Sequence, residues 1–589
     1  MSKTIMYIAG VFLSFLILFS LPNNTQASTV PLSQGTTSEI ATKNAAALQN
    51  AINQASTSGK KQVTLPAGTF YINGKIILKS HIVLQGASSS PAATKLTMNN
   101  APMTTDTTAT SQESTTDITL QNFTLQYNPN MSKYNYLTNP INFYKDNLLN
   151  IGQITPSENS AGYNPTNKKA LKTNIKITNM ILNANQVGLT VVNVAKADNV
   201  TINKTTILNS GLQNGITMTY TSNIKITNNT VKNIGRAGIV QYYGNTKALI
   251  SGNKVIDWMQ RYGSYHYDAV KKSGQTLDSM QDAAIDSYGP ANQTTTITNN
   301  QINLSAASGK VNPNNPLIAK KWHLKKVPNY TRYAAFRANG AQYMLYQGNT
   351  VNIDSPNTFA FFSTNMRKSS NTLTRPKGIT VIGNRFTSRN IDYPFRIFAG
   401  ISDPNTTNGI TISGNTIQIL GTINNYYRTL IEVHEVPITV NGKTSYYTTD
   451  LLSVTNNKIQ TKNISTLVAG ASTSKKDTLK LLFLNNNTLN GKIYQISRNY
   501  IGTTLKVLSY KNNALQIPII WNVDETKTKY IRVTNLSGKA ITSEIALTKT
   551  KSPTVTFKTK LTRGSLIKIQ ISEVKGNYTN ASTVFFKVP

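Results

Sequence analysis

Cysteine is absent from this 589-residue chain. Disulfides, thiolate metal sites and cysteine nucleophiles are therefore excluded, and stability has to come from packing and hydrogen bonds. Acidic residues are scarce: 23 Asp and Glu stand against 60 Lys and Arg, for a formal net charge of +37. Histidine is rarer still, at 4 residues, which leaves few side chains that titrate near neutrality. Long apolar runs are missing with one exception, Ile5 to Leu21, which follows Lys3 and precedes Thr25-Gln26-Ala27. A charged start, an apolar middle and a small final residue predict a secretory signal peptide over 1–27 and a mature chain from near Ser28. No later segment is long and apolar enough to span a bilayer, so an exported chain without stable membrane insertion is expected.

The positive charge is spread along the whole chain and is strong enough to hold the protein on polyanions. No aromatic-basic nucleic-acid motif accompanies it, so nucleic acid is not the expected partner. A polysaccharide or an anionic cell-wall polymer suits an extracellular, cell-wall-associated protein better, and a monomer is the expected state.

What the chain does have is an internal repeat. An apolar residue, two small or polar residues, Asn, any residue and an apolar residue recur as Ile226-Thr-Asn-Asn229-Thr-Val231, Ile250-Ser-Gly-Asn253-Lys-Val255 and Ile297-Thr-Asn-Asn300-Gln-Ile302. The pattern continues at Tyr346 to Val351, Val381 to Phe386, Ile412 to Ile417, Val454 to Ile459 and Leu484 to Leu489, with earlier copies carrying Met180 and Thr205 at the Asn position. Met180, Thr205, Asn229 and Asn253 follow one another at 25, 24 and 24 residues. A period of about 24 fits one coil of a parallel β-solenoid, whereas propeller blades need about 40. Each coil then rises by the inter-strand spacing of about 4.8 Å. The repeated Asn is expected both to tolerate the left-handed backbone of a tight bend and to stack as a hydrogen-bonded ladder.

Upstream of the repeats lie Asn44-Ala-Ala-Ala-Leu48-Gln-Asn-Ala-Ile52-Asn-Gln-Ala55, then Val63-Thr-Leu-Pro66-Ala-Gly68-Thr-Phe-Tyr71-Ile, then Ile82-Val-Leu-Gln-Gly86. Leu48 and Ile52 are one helical turn apart. This opening resembles that of the pectate-lyase-like superfamily, in which an amphipathic helix caps the first coil and Pro-Ala-Gly turns into the first strands. The family's acidic residues before the helix are replaced here by Thr42-Lys43-Asn44. The resemblance implies an all-β fold, a right-handed single-stranded parallel β-helix over 28–495 with an N-terminal capping helix, and a protein that acts on polysaccharides.

Insertions on a solenoid build the walls of its groove. The steps from Asn253 to Asn300 and from Asn300 to Asn349 are 47 and 49 residues, so each holds either an extra coil or a long loop. Five of the 23 acidic residues (Asp257, Asp268, Asp278, Asp282 and Asp286) fall in the first gap, beside Trp258, Tyr262, Tyr265, His266, Tyr267 and Tyr288. Trp258 and these tyrosines are expected to form a platform for sugar rings. Asp282 and Asp286 share strand parity and are expected to face one side. Together, or with Asp268, they offer the two carboxyl groups a glycoside hydrolase needs, and the resemblance extends to hydrolases that place aspartates on neighbouring coils.

Elimination from a uronate needs other groups: something to neutralise the carboxylate and a base for the C5 proton. Arg337, Arg396 and His266 are the expected residues, and calcium, which often neutralises the carboxylate in that family, is the cofactor a lyase reading implies. Glu432, His434 and Glu435 form a second cluster in which alternation sends Glu432 and His434 to one face. From 496 to 589 the repeat gives way to short alternating strands, which predicts a small β-sandwich-like module. Two classes of function remain open: a polysaccharide-cleaving enzyme, lyase or hydrolase, and a non-catalytic glycan-binding surface protein or adhesin.

Overall fold

The computed structural model describes residues 28–588 except 59–60, 100, 109–112, 129–146, 155–170, 187, 212, 261–279, 290–291, 305–330, 356–357, 370–371, 402–408, 426–427, 441, 465, 472–478, 495–506, 513, 519–527, 549–553, 559, 573 and 579–581. Residues 1–27, where a signal peptide is expected, lie outside the described residues.

The opening helix runs from Ser38 to Thr57, with the Thr37 hydroxyl accepting from the Ile40 N–H at 3.3 Å as its N-cap. Its buried stripe, Ala41, Asn44, Leu48, Ile52 and Ala55, recurs at helical spacing and closes the first coil. Asn44, where the family pattern departs, is itself buried; its amide donates to the carbonyls of Ser33 and Tyr71.

Beyond the helix, apolar residues stack coil upon coil in parallel register. The first template position forms the column Leu84, Leu120, Ile177, Ile202, Ile226, Ile250, Ile297, Tyr346, Val381, Ile412, Val454 and Leu484. The second template position forms a parallel column from Leu125 to Leu489 in a 14-stranded sheet. A third column, Ile239, Ile285, Phe336, Phe362, Phe395, Ile431 and Val468, completes the core wall. This is the parallel β-helix the repeat predicts, right-handed as parallel crossovers are.

The Asn ladder also forms, running Asn229, Asn253, Asn300, Asn349, Asn384, Asn415, Asn457, Asn487. Asn229 Oδ1 accepts from the Thr205 N–H, and each later Oδ1 accepts from the backbone and side-chain N–H groups of the Asn before it, as Asn300 does from Asn253 at 2.9 Å for both bonds. One part of the expectation needs correcting. The left-handed residue is not the ladder Asn but its predecessor, Asn228, Gly252, Asn299, Gly348, Gly383, Gly414, Asn456 or Asn486. The division of labour is physical: the predecessor turns the chain, and the ladder Asn, buried at 0–2%, satisfies the carbonyls that the bend exposes.

The two double-length gaps are single coils with excursions. Val255 pairs directly with Ile302 and Ile302 with Val351, so no extra coil intervenes. Both excursions enter the third strand of their coils, Met280–Tyr288 and Thr331–Asn339. At the far end, Val507–Lys511 pairs in parallel with Leu479–Asn485 and antiparallel with Ala514–Pro518, so the open edge of the solenoid is covered. The strands that follow are antiparallel, and their apolar side chains, Leu515, Ile531, Val533, Ile569 and Phe586 among them, pack against Leu451 and Phe483 of the solenoid.

Candidate functional site

One residue outward from the third core column, the register lines up Val240, Asp286, Arg337, Ser363, Arg396, Glu432 and Ala469. Strand alternation turns these positions away from the core, and four of them, Asp286, Arg337, Arg396 and Glu432, are charged. Two clusters result.

The first centres on Arg337. Its Nε donates to Asp286 Oδ1 at 2.9 Å, and its Nη2 meets both Asp286 Oδ2 and Asp282 Oδ1. Asp282 Oδ2 accepts from Arg236 Nε at 2.5 Å, and Arg236 Nη1 donates to Gln213 Oε1 and to the Tyr242 hydroxyl, each at 3.2 Å. Both aspartates are sealed, at 1% and 2% exposure. Burial works to raise Asp282, but the Arg236 and Arg337 guanidinium groups outweigh it and hold the carboxyl below its usual range. Burial raises Asp286, and Arg337 only partly offsets that. Arg337 is itself buried, at 9%, and beside it Tyr288 is half-buried, with Arg367 at 3.6 Å and Arg337 at 5.0 Å from its ring centroid, and Tyr242 edge-on at 6.1 Å.

The second cluster centres on Arg396. Its guanidinium lies 4.7 Å from the Tyr393 ring centroid, 4.8 Å from Phe398 and 5.5 Å from Phe359. His434 stacks on Phe398 at 4.5 Å, and its Nε2 is 2.7 Å from Glu432 Oε1 and 3.3 Å from Arg396 Nε. Burial pushes the imidazole below its ordinary value, and Arg396 adds to this against the pull of Glu432.

Asp282 and Asp286 therefore share a side as parity implies, and Arg337 and Arg396 stand on one line with Asp286. One arginine, Arg337, bonds both carboxylates and stands between them. Trp258 calls for a correction. Its indole is fully buried in the solenoid core, edge-on to Tyr333 at 6.1 Å, so it is not a platform for sugar rings. Tyr262, Tyr265, His266, Tyr267, Asp268 and Asp278 lie outside the described residues. Sequence reasoning does not find Arg236, Tyr242 or Arg367. Arg236 precedes the third strand of its own coil, the place the acidic loop takes one coil later, and that equivalence is the signal that points to it.

Calcium does not fit Asp282 and Asp286. All four oxygens of Asp282 and Asp286 accept from arginine N–H groups, which leaves no lone-pair set for an oxygen-ligated cation.

The model of a family described as rhamnogalacturonase A/epimerase, pectate lyase-like, matches residues 32–265. The stacked coils make the chain a parallel β-helix protein, and its N-terminal part is similar to that family. Its architecture is similar to that of PfbA, a surface adhesin of Streptococcus pneumoniae, at 13% identity over 86% of this chain and 95% of that one, with a TM-score of 0.44. It is also similar to the A-module of the Azotobacter vinelandii mannuronan C-5 epimerase AlgE4, at 15% identity over 78% of this chain and 95% of that one, with a TM-score of 0.34. A third similar structure is the catalytic domain of a GH87 α-1,3-glucanase, at 14% identity over 80% of this chain and 70% of that one, with a TM-score of 0.38. No curated protein matches the sequence.

Proposed function

We propose that this is an exported protein that receives an acidic polysaccharide along the third-strand face and cleaves it by β-elimination. The observation that carries the reading is the single line on which Arg337 and Arg396 stand, two coils apart, or about 10 Å at the inter-strand spacing. The planar fork of Arg396 suits carboxylate recognition, whereas that of Arg337 is turned to Asp282 and Asp286; Tyr288 and Tyr393, half-buried beside the two guanidinium groups, offer faces for sugar rings. The net charge of +37 attracts a polyanion to this wall, and the family match over the N-terminal coils is in keeping with a polysaccharide partner.

Hydrolysis by Asp282 and Asp286 is disfavoured by the same geometry. A hydrolase needs one carboxyl group free to donate a proton and another free to activate water or attack. Here both carboxylates are sealed behind arginines. That sealing also favours a second reading, a non-catalytic glycan-binding surface protein, because the first cluster then recognises charge without doing chemistry. The test is incubation with acidic and neutral polysaccharides, followed by affinity electrophoresis and a scan for unsaturated uronate ends. Retardation by acidic polymers alone, with new ultraviolet absorbance, is the expected result. Retardation without new ends leaves only the second reading, and no preference for acidic polymers refutes both.

A further inference from the structure

The first cluster carries more positive than negative charge. Three guanidinium groups, Arg236, Arg337 and Arg367, stand with two carboxylates, and all four carboxylate oxygens already accept from Arg236 and Arg337. Arg367 is the cation left over. Among the described residues it makes no hydrogen bond and no ion pair, and what positions it is the Tyr288 ring, whose centroid lies 3.6 Å from its Cζ.

The fold builds this placement. Arg367 opens a short antiparallel pair, Arg367–Ser369 with Thr372–Thr374, just past the strand Thr358–Asn365. Tyr288, Asn339 and Asn365 stand in one register column on three successive coils, so the side chain reaches back across the middle coil to its ring. Gly340, on that middle coil, clears the path. A Cβ there would come within 2.9 Å of Arg367 Cβ and 3.2 Å of its Cγ, and the backbone φ of +65° is one that glycine adopts without strain.

An ordinary surface arginine lays its stem along the protein and keeps its head in water. Arg367 is half-buried instead. Burial pushes its guanidinium below the ordinary value, and the charges of Tyr243, Asp286 and Asp282 offset this only in part. A partly desolvated cation without a partner costs free energy that an arriving anion would remove. A guanidinium resting on a ring face keeps its N–H groups at the edge, where the planar fork meets a carboxylate through two parallel bonds. Half-buried Tyr242, edge-on to Tyr288 at 6.1 Å, continues the aromatic surface beside it.

We infer that Arg367, seated on Tyr288, takes the carboxylate of an acidic sugar at the first cluster, while Arg337 holds Asp282 and Asp286 in place. The inference rests on the acidic-polysaccharide reading above and names the group that does the recognising there.

The experiment is affinity electrophoresis of the full chain in polygalacturonate and alginate, each as the free acid and as the methyl ester, which removes the charge and keeps the sugar chain. Wild type is expected to bind at least one free acid more tightly than its ester. Arg367→Gln should weaken binding of that free acid about 10-fold, as the loss of charge-assisted bonds implies, with ester binding unchanged within about twofold. Arg367→Lys keeps the stem and the charge but not the fork, so it should lose at least about threefold, and it keeps the test open should the Gln variant fail to fold. Lys254→Gln removes the same charge from an exposed position in the 14-stranded sheet. It should change neither affinity by more than about twofold at about 0.15 M salt, where distant charges are screened. An Arg367→Gln protein that keeps the wild-type preference for the acid overturns the inference, as does equal weakening of acid and ester, or an Arg367→Lys protein that binds the acid as wild type does. A wild type without preference for either free acid removes the acidic-polysaccharide reading and the inference with it.

Discussion

Arg337 and Asp286 face each other in register on adjacent coils, joined by an Nε to Oδ1 bond of 2.9 Å, while the same guanidinium also holds Asp282. One arginine thus neutralises Asp286, which burial would otherwise leave uncompensated, and shares Asp282 with Arg236. Removing it by Arg337→Ala should cost about 3–5 kcal/mol, since breaking a buried pair strands the partner charge. Asp286→Asn should cost less, because burial already raises Asp286 towards its neutral form. Thermal or urea unfolding of both variants checks the order. The reverse order would mean that the arginine, and not the carboxylates, is the burden.

The fold is legible in the sequence because its signal is local. Each copy of the template names its own core residues, and Asn or Gly ahead of the ladder Asn marks the turn within six residues. The site is not local. Arg236 meets Asp282 across 46 residues and Arg337 meets Asp286 across 51, because the excursions of the two long coils intervene. Parity along one strand shows that Asp282 and Asp286 share a side; only the coil-to-coil register shows that an arginine fills the space between them. Glu432 and His434 share a face as alternation implies, but their exposure depends on neighbours from other coils.

The Asn ladder should behave as a chain of equivalent links with a weak end. Asn300 accepts from two N–H groups of Asn253 and donates to Ile250 O and Asn349 Oδ1, all at 2.9 Å. Asn300→Ala leaves several buried groups unpaired, and at about 1–3 kcal/mol per orphaned group a loss of at least about 3 kcal/mol is expected. Asn487, the last rung among the described residues, donates to Val454 O at 2.9 Å and to Asn485 O at 3.2 Å and supports no later rung there, so Asn487→Ala should cost less. Urea unfolding midpoints of the two variants measure the difference, and equal losses would argue against cooperative stacking.

His434 ties stability to pH with a definite sign. In the unfolded chain an imidazole takes up its proton as the pH falls through about 6.5. In the folded chain, burial and the facing Arg396 delay that uptake to lower pH, against the pull of Glu432, with the Tyr393 ring also packed nearby. Between the two values the unfolded state binds more protons, so stability falls on acidification. Wild type should therefore lose melting temperature below about pH 6.5 more steeply than His434→Gln, which has nothing to titrate there. Parallel melting curves from pH 7 to pH 5 would show that the imidazole is not held neutral.

Trp258 separates packing from recognition on this face. A tryptophan in an acidic, tyrosine-rich stretch reads as a sugar platform, but the residue comes two positions after the Lys254–Ile256 strand and turns inward. Its ring packs edge-on against Tyr333 in the strand that also carries Arg337, so it supports the site from behind. Trp258→Ala should cost about 3–5 kcal/mol, as large-to-small core changes do, while affinity for an acidic polysaccharide below the melting temperature stays near that of wild type. Tyr288→Ala should do the opposite, weakening binding with little effect on stability, because the ring is half-buried between Arg337 and Arg367 on the outer face. Differential scanning calorimetry and affinity electrophoresis on the two variants distinguish the roles. A Trp258→Ala protein of full stability and lost binding would place the indole on the outer face.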